Sequence, residues 1–212
     1  VRAMTQDDSP RGQTSLLLWE PALIPGGGEN GAPVRRAASS EVAELLADLV
    51  AEEVRTLAFV RSRRGVEQVA MTARSLLAEV DPTLASKVAG YRGGYLQEER
   101  RDLEAALREG SLIGLAATNA LELGIDISGL DTVLIAGFPG TRAAFWQQIG
   151  RAGRGERDAL AILVAREDPL DDLLLLRQDA AEAAYVVDAR RTFDVRVGDR
   201  EPHLVLELAI RG

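Results

Sequence analysis

The sequence predicts an α/β fold: a parallel sheet with helices on both faces, plus a short antiparallel C-terminal appendage. Two observations carry the sheet, and a third shows where it would bind a ligand. Short aliphatic runs such as TLAFV, LIGLAA and TVLIA alternate with stretches of helical period. The connections between them are brief, as expected where helices carry the chain back to start successive parallel strands by right-handed crossovers. Arginines, glycines and hydroxyl residues sit just after the aliphatic runs, where open parallel sheets bind ligands.

Taken in order, residues 1–14 are polar, lack a period and read as a disordered lead-in. Residues 15–20 (SLLLWE) read as a strand, and 21–33 (PALIPGGGENGAP) as a loop rich in proline and glycine. Its triple glycine is not a phosphate-binding loop, because no Gly-Lys-Ser/Thr follows. Ser39 or Ser40 can cap a helix reaching Glu53, with Val42, Leu45, Leu46 and Leu49 inward. Strand 56–60 follows, then a helix over 64–80 capped by Ser62 and stopped at Asp81-Pro82. Val88–Tyr91 reads as a strand, 98–109 as a helix ending at Gly110, and 112–117 as a strand. Thr132–Ala136 and 159–165 are further strands, with a helix between them. Beyond Asp168 a short helix at 169–177 and strands at 184–188, 193–197 and 204–210 make the antiparallel tail. No internal repeat is visible.

Composition narrows the class. Hydrophobic residues make up 46% and charged residues 27%, ordinary for a globular domain with a proper core. No stretch approaches the roughly 18 apolar residues of a membrane span, and VRAMTQDDSP is not a signal peptide. With no cysteine there is no disulfide framework and no thiolate metal site, so a cytoplasmic address is expected. An initial Val in place of Met points to an excised piece or a literally translated start codon. The net charge of −8 argues against coating nucleic acid by bulk electrostatics. Yet between Arg55 and Arg101 nine basic residues face five acidic ones, which permits a local phosphate-contacting face.

The most informative stretch is 145–155, FWQQIGRAGRG. Wound as a helix at about 100° per residue, it places Gln147, Arg151 and Arg154 within roughly 60° of one another. Phe145, Ile149 and Ala152 gather on the other side, able to dock on a core. Paired guanidiniums suit an anion with several oxygens and cannot serve as bases, so a catalytic role would be charge stabilisation. The plainer alternative is a solvated helix end whose arginines pair with Glu156 or Asp158. Elsewhere, Arg61-Ser62-Arg63, Arg92-Gly93-Gly94 and Thr118-Asn119 each follow a strand, where helix N-termini at Ser62 and Thr118 favour anions. Any one of these alone reads more simply as a routine cap; their coincidence on one edge is what points to a sugar-phosphate backbone passing over it.

QQIGRAGR at 147–154 resembles motif VI, the QxxGRxxR signature of superfamily-two helicases. TLAFVRSRRGVE at 56–67 resembles motif IV, GYRGGYLQEERR at 90–101 the segment after it, and ATNALELGIDI at 117–127 motif V. Their order and spacing are those of the second, RecA-like helicase lobe over 15–168. The wording is closest to bacterial SftH-like DNA helicases, relatives of the RecQ and DEAD/DEAH-box enzymes. The resemblance implies Arg154 as the arginine finger on the γ-phosphate of ATP, with Arg151 and Gln147 as neighbouring contacts. It implies Gly124 and Asp126 on the nucleotide side, and Ser62, Arg63, Arg92, Gly93, Thr118 and Asn119 on the tracked strand. DNA, as a single strand or unwinding fork, is the implied partner.

The departures are as informative. No GxxxxGK[ST] and no DExH/D tetrad occurs, so a first RecA-like lobe carrying Walker A and B is the implied second partner. That lobe would hold Mg²⁺, and this chain alone is expected to show little or no ATPase activity. The related group carries a cysteine zinc cluster after this lobe, and cysteine is absent here, leaving 169–212 unassigned. Two rival readings stand beside the helicase one. The first is a non-catalytic RecA-like remnant that binds nucleic acid or protein. The second is a nucleotide-sugar or dinucleotide-binding α/β domain, which would need a glycine fingerprint directly after the first strand. His203, Asp171-Asp172 and Trp146 read as surface, solvated and packing residues in turn.

Overall fold

A strand covered by helices on both faces must be apolar at consecutive positions, and the aliphatic runs meet that demand. The computed structural model describes residues 14–26, 33–91, 97–118, 130–153, 158–166 and 205–210. Its elements are β1 (Thr14–Trp19), β2 (Leu23–Ile24), β3 (Val34–Arg35), α1 (Ala38–Ala51), β4 (Thr56–Phe59), α2 (Arg63–Val80) and α3 (Pro82–Ala85). They continue with β5 (Val88–Tyr91), α4 (Gln97–Glu109), β6 (Gly114–Ala117), β7 (Thr132–Ala136), α5 (Arg142–Ile149), β8 (Ala159–Val164) and β9 (Val205–Ile210). The main sheet runs β5-β6-β4-β7-β8-β1-β9. The first six strands are parallel, and β9 closes the edge antiparallel to β1, with Thr14 opposite Ile210 and Trp19 opposite Val205.

Alternation along each strand sends side chains into two separate cores. Ala58, Leu134, Ala136, Ile162 and Val164 join Leu17 and Trp19 beneath α1 and α2. Leu57, Phe59, Val133, Ile135, Ala161 and Leu163 face the opposite way, where Leu107 of α4 and Ile149 of α5 pack. The expected α/β sheet with helices on both faces is thus what the chain forms. Among the described residues no helix is long and apolar enough to cross a membrane.

Some local expectations shift. The strand expected at 204–210 appears as β9 over Val205–Ile210, on the edge of the main sheet; the other tail elements and residues 1–13 lie outside the described residues. The 21–33 loop contains β2, paired antiparallel with β3 as a small ribbon. α1 starts ahead of Ser39 and Ser40, with Ala37 at the N-cap and no side-chain cap. Tertiary contacts set that start. Fully buried Trp19 donates its indole N–H to Glu41 Oε1 at 3.0 Å, and Arg36 lies 3.6 Å from Oε2 while also pairing with Glu44. Arg35 pairs with Glu20 and donates to the Pro21 carbonyl, fastening the ribbon beside the helix.

Gly114 shows how close α1 comes to the sheet. A Cβ built there would lie 2.7 Å from Val50 Cγ2, 3.1 Å from Val88 Cγ2 and 3.3 Å from Leu46 Cδ1. Crowding of this kind in a packed core costs about 1–3 kcal/mol. Gly114→Ala is expected to lower urea-unfolding stability by about that amount. The Gly114→Ala/Val50→Ala pair should be more stable than the sum of the single changes, because the second removes the clashing methyls.

Candidate functional site

The carboxyl edge of the sheet collects one group of the expected residues. After β4 the chain passes through Arg61 into extended Ser62, whose Oγ accepts from Gly65 N at 3.0 Å and caps α2 as expected. Arg61, Ser62, Arg63 and Arg64 are all exposed, and the first turn of α2 holds no acidic residue. Among the described residues neither Arg63 nor Arg64 makes an ion pair. Cations at a helix N-terminus oppose the macrodipole, so the cluster favours an incoming anion over its own resting state. Thr118 is half-buried just past β6, the neighbour of β4, and Val60 N donates to the Ala117 carbonyl at 2.8 Å. Tyr91, ending β5 on the same edge, is buried, and burial pushes its phenol above the ordinary value, opposed by Arg100 and reinforced by Glu104. Arg92, Gly93 and Asn119 lie outside the described residues.

The second group sits elsewhere. α5 starts past the carboxyl end of β7 and runs back along the sheet, because the next strand, β8, is parallel to β7. The helix expected over 145–155 stops at Ile149. Gly150 N donates to the Trp146 carbonyl at 2.9 Å, Arg151 N to Gln148 at 3.1 Å and Ala152 N to Ile149 at 3.0 Å, a tightened final turn. Ala152 then bridges Leu130 in parallel, and Gly153 N donates to the Leu130 carbonyl at 3.1 Å. This pairing draws the chain off the helical path beyond Ile149. Leu130 precedes β7, so Arg151 lies at the amino end of the strands, away from Arg61 and Ser62. Gln147 is exposed and Arg151 half-buried, while Ile149 and Ala152 are buried as expected. Gln148, buried to 1% exposure, escapes a reading of the sequence, since a glutamine in a helix offers no apolar signal. Arg154, Gly124 and Asp126 lie outside the described residues. Among the described residues no group of three His, Cys, Asp or Glu could hold a metal ion.

A short loop, 137–141, connects these two ends through α5. Gly137 (φ +78°) and Gly140 (φ +96°) adopt left-handed backbone around Phe138-Pro139, and Thr141 Oγ1 accepts from Ala144 N at 3.1 Å to cap the helix. Gly137 N donates to the Val164 carbonyl at 2.8 Å, and the Phe138 ring centroid stands 5.6 Å from that of Phe145. Arg61 reaches over from the next strand, its Nη2 donating to the Phe138 carbonyl at 2.8 Å. Arg166, half-buried after β8, packs so closely that a Cβ on Gly137 would fall 1.8 Å from its Nε. Arg166 is a residue that motif spacing does not single out, although it follows its strand as Arg61 follows β4. Gly137→Ala is expected to cost about 1–3 kcal/mol in thermal unfolding, from the left-handed φ before any clash. Arg166→Ala in the same chain should recover only the part due to the clash.

Residues 40–156 match the helicase conserved C-terminal domain family. The chain is 37% identical over 175 residues to the uncharacterised ATP-dependent helicase YprA of Bacillus subtilis, covering 82% of this chain and 23% of YprA. It is 40% identical over 172 residues to the ATP-dependent helicase HRQ1 of Saccharomyces cerevisiae, covering 81% of this chain and 16% of HRQ1. The fold superposes on the DUF1998 helicase MrfA, bound to DNA and AMPPNP, with a TM-score of 0.72 at 37% identity, covering 82% of this chain and 23% of MrfA. The chain thus spans less than a quarter of the length of each of these relatives. A domain-length match, a RecA-like parallel sheet and helicase relatives on both sequence and structure agree, and the chain belongs to the helicase conserved C-terminal domain family as a second lobe of superfamily two.

Proposed function

We propose that residues 15–168 form the second lobe of an ATP-dependent DNA helicase or translocase, close to the SftH-like group, working in the cytoplasm. The observation that carries this reading is the placing of two arginine-bearing segments at opposite ends of one sheet, with α5 running between them. Ser62, Arg63, Arg92, Gly93, Thr118 and Asn119 contact the phosphates of a DNA strand or fork. Arg154 is the arginine finger, aided by Arg151 and Gln147, with Gly124 and Asp126 on the nucleotide side. Arginines suit this role because they hold fixed donor forks and full charge against a γ-phosphate in transfer. MrfA, bound to DNA and AMPPNP, supports both ligand classes.

ATP and Mg²⁺ are assigned mainly to a first lobe carrying Walker A and B, so this chain alone is inactive. What the chain's own residues supply is orientation of the nucleotide's outer phosphate and stabilisation of charge that develops there. Residues 169–212 stay without a functional role, although β9 within them adds to the sheet edge.

The decisive experiment is DNA-stimulated ATP hydrolysis by a protein joining this lobe to an upstream RecA-like lobe, native against Arg154→Ala. The expected result is a loss of about 10³-fold or more in rate with ATP binding kept. Equal hydrolysis by both proteins, or by neither, would favour the non-catalytic remnant that binds nucleic acid or protein.

A further inference from the structure

The structure assigns Arg61 a positioning role: its guanidinium fastens the Phe138 carbonyl, and through it the start of α5, to the N-terminus of α2. The bond spans 77 residues of sequence at 2.8 Å between side chain and backbone. It ties the segment leading into α2 to the loop leading into α5, and its anchor is well placed to transmit. Phe138 stands between two left-handed glycines, its ring packs on Phe145, and Thr141 caps the helix three residues on. Holding the Phe138 backbone therefore holds the first turn of α5. The far end of α5 is fixed by the Ala152–Leu130 bridge, so the helix acts as a strut from the carboxyl edge to Arg151. Arg61 is one residue from Ser62 and two from Arg63, so an anion seated there would order Arg61 and stiffen the loop. This last step rests on the proposed nucleic-acid-binding edge; the tether itself does not.

The experiment is amide hydrogen exchange of the full chain, with and without single-stranded oligothymidylate. In the free protein Arg61→Ala is expected to speed exchange over 138–145 roughly fivefold, a modest effect for a charge-assisted bond because it is exposed to solvent. Exchange over α1 and the strands should stay native. Arg61→Lys, which keeps a donor on a long stem, should restore part of the protection. Arg63→Ala should weaken oligonucleotide binding yet leave free-protein exchange over 138–145 unchanged. Oligothymidylate should slow exchange over 138–145 in the native chain and fail to do so in Arg61→Ala, even at saturation. Unchanged free-protein exchange in Arg61→Ala overturns the tether. Oligonucleotide protection that persists in Arg61→Ala overturns the coupling. A native chain that binds no oligonucleotide defeats the coupling along with the proposed function, while free-protein exchange still decides the tether.

Discussion

Each parallel step in the sheet obliges the chain to travel back from the carboxyl edge to the amino edge before the next strand can begin. In the pair β7–β8 that return is α5, and it decides which end of the sheet receives Arg151. A helix rises about 1.5 Å per residue, so the eight residues of α5 cover most of the length of a short strand. The motif that starts at one edge is therefore delivered to the other. A single lobe can then present one set of guanidiniums at α2 and a second near Leu130, with a stiff element connecting them.

That stiffness depends on two separate cores. One unites the sheet with α1 and α2, and the other unites it with α4 and α5, with alternate strand residues committed to each. Small residues at the interface allow close approach: Gly114 under α1, and Ala58 and Ala116 on the same face. Charge is handled differently inside and out. The buried Glu41 carboxylate is matched by the Trp19 indole and by Arg36, whereas Arg63 and Arg64 stand exposed at a helix N-terminus. The first arrangement fixes the position of α1, and the second leaves a positive edge.

Much of the chain is legible in one dimension because its signals are local. The Ser62 cap, the period of α2 and the aliphatic strands depend on neighbours a few residues away, and these appear where expected. Ser39 and Ser40 mislead because α1 starts where Trp19, Arg36 and the β2–β3 ribbon bring the backbone in, contacts that no capping rule contains. The arginine helix misleads for a related reason. Helical period extends through Gly150 on paper, but pairing of Ala152 with Leu130 offers the backbone a better partner than another helical turn.

Fold class, the succession of strands and helices along the chain, and the side-chain chemistry suited to phosphates are all written in the linear order of residues. Those properties follow from period, capping and residue type, which act over short separations. The lateral order of the strands, the edge closed by β9, the end of the sheet that receives Arg151 and the reach of Arg61 to Phe138 emerge on folding alone. These are meetings of segments far apart in sequence, set by which faces can be buried together, and no local pattern encodes them.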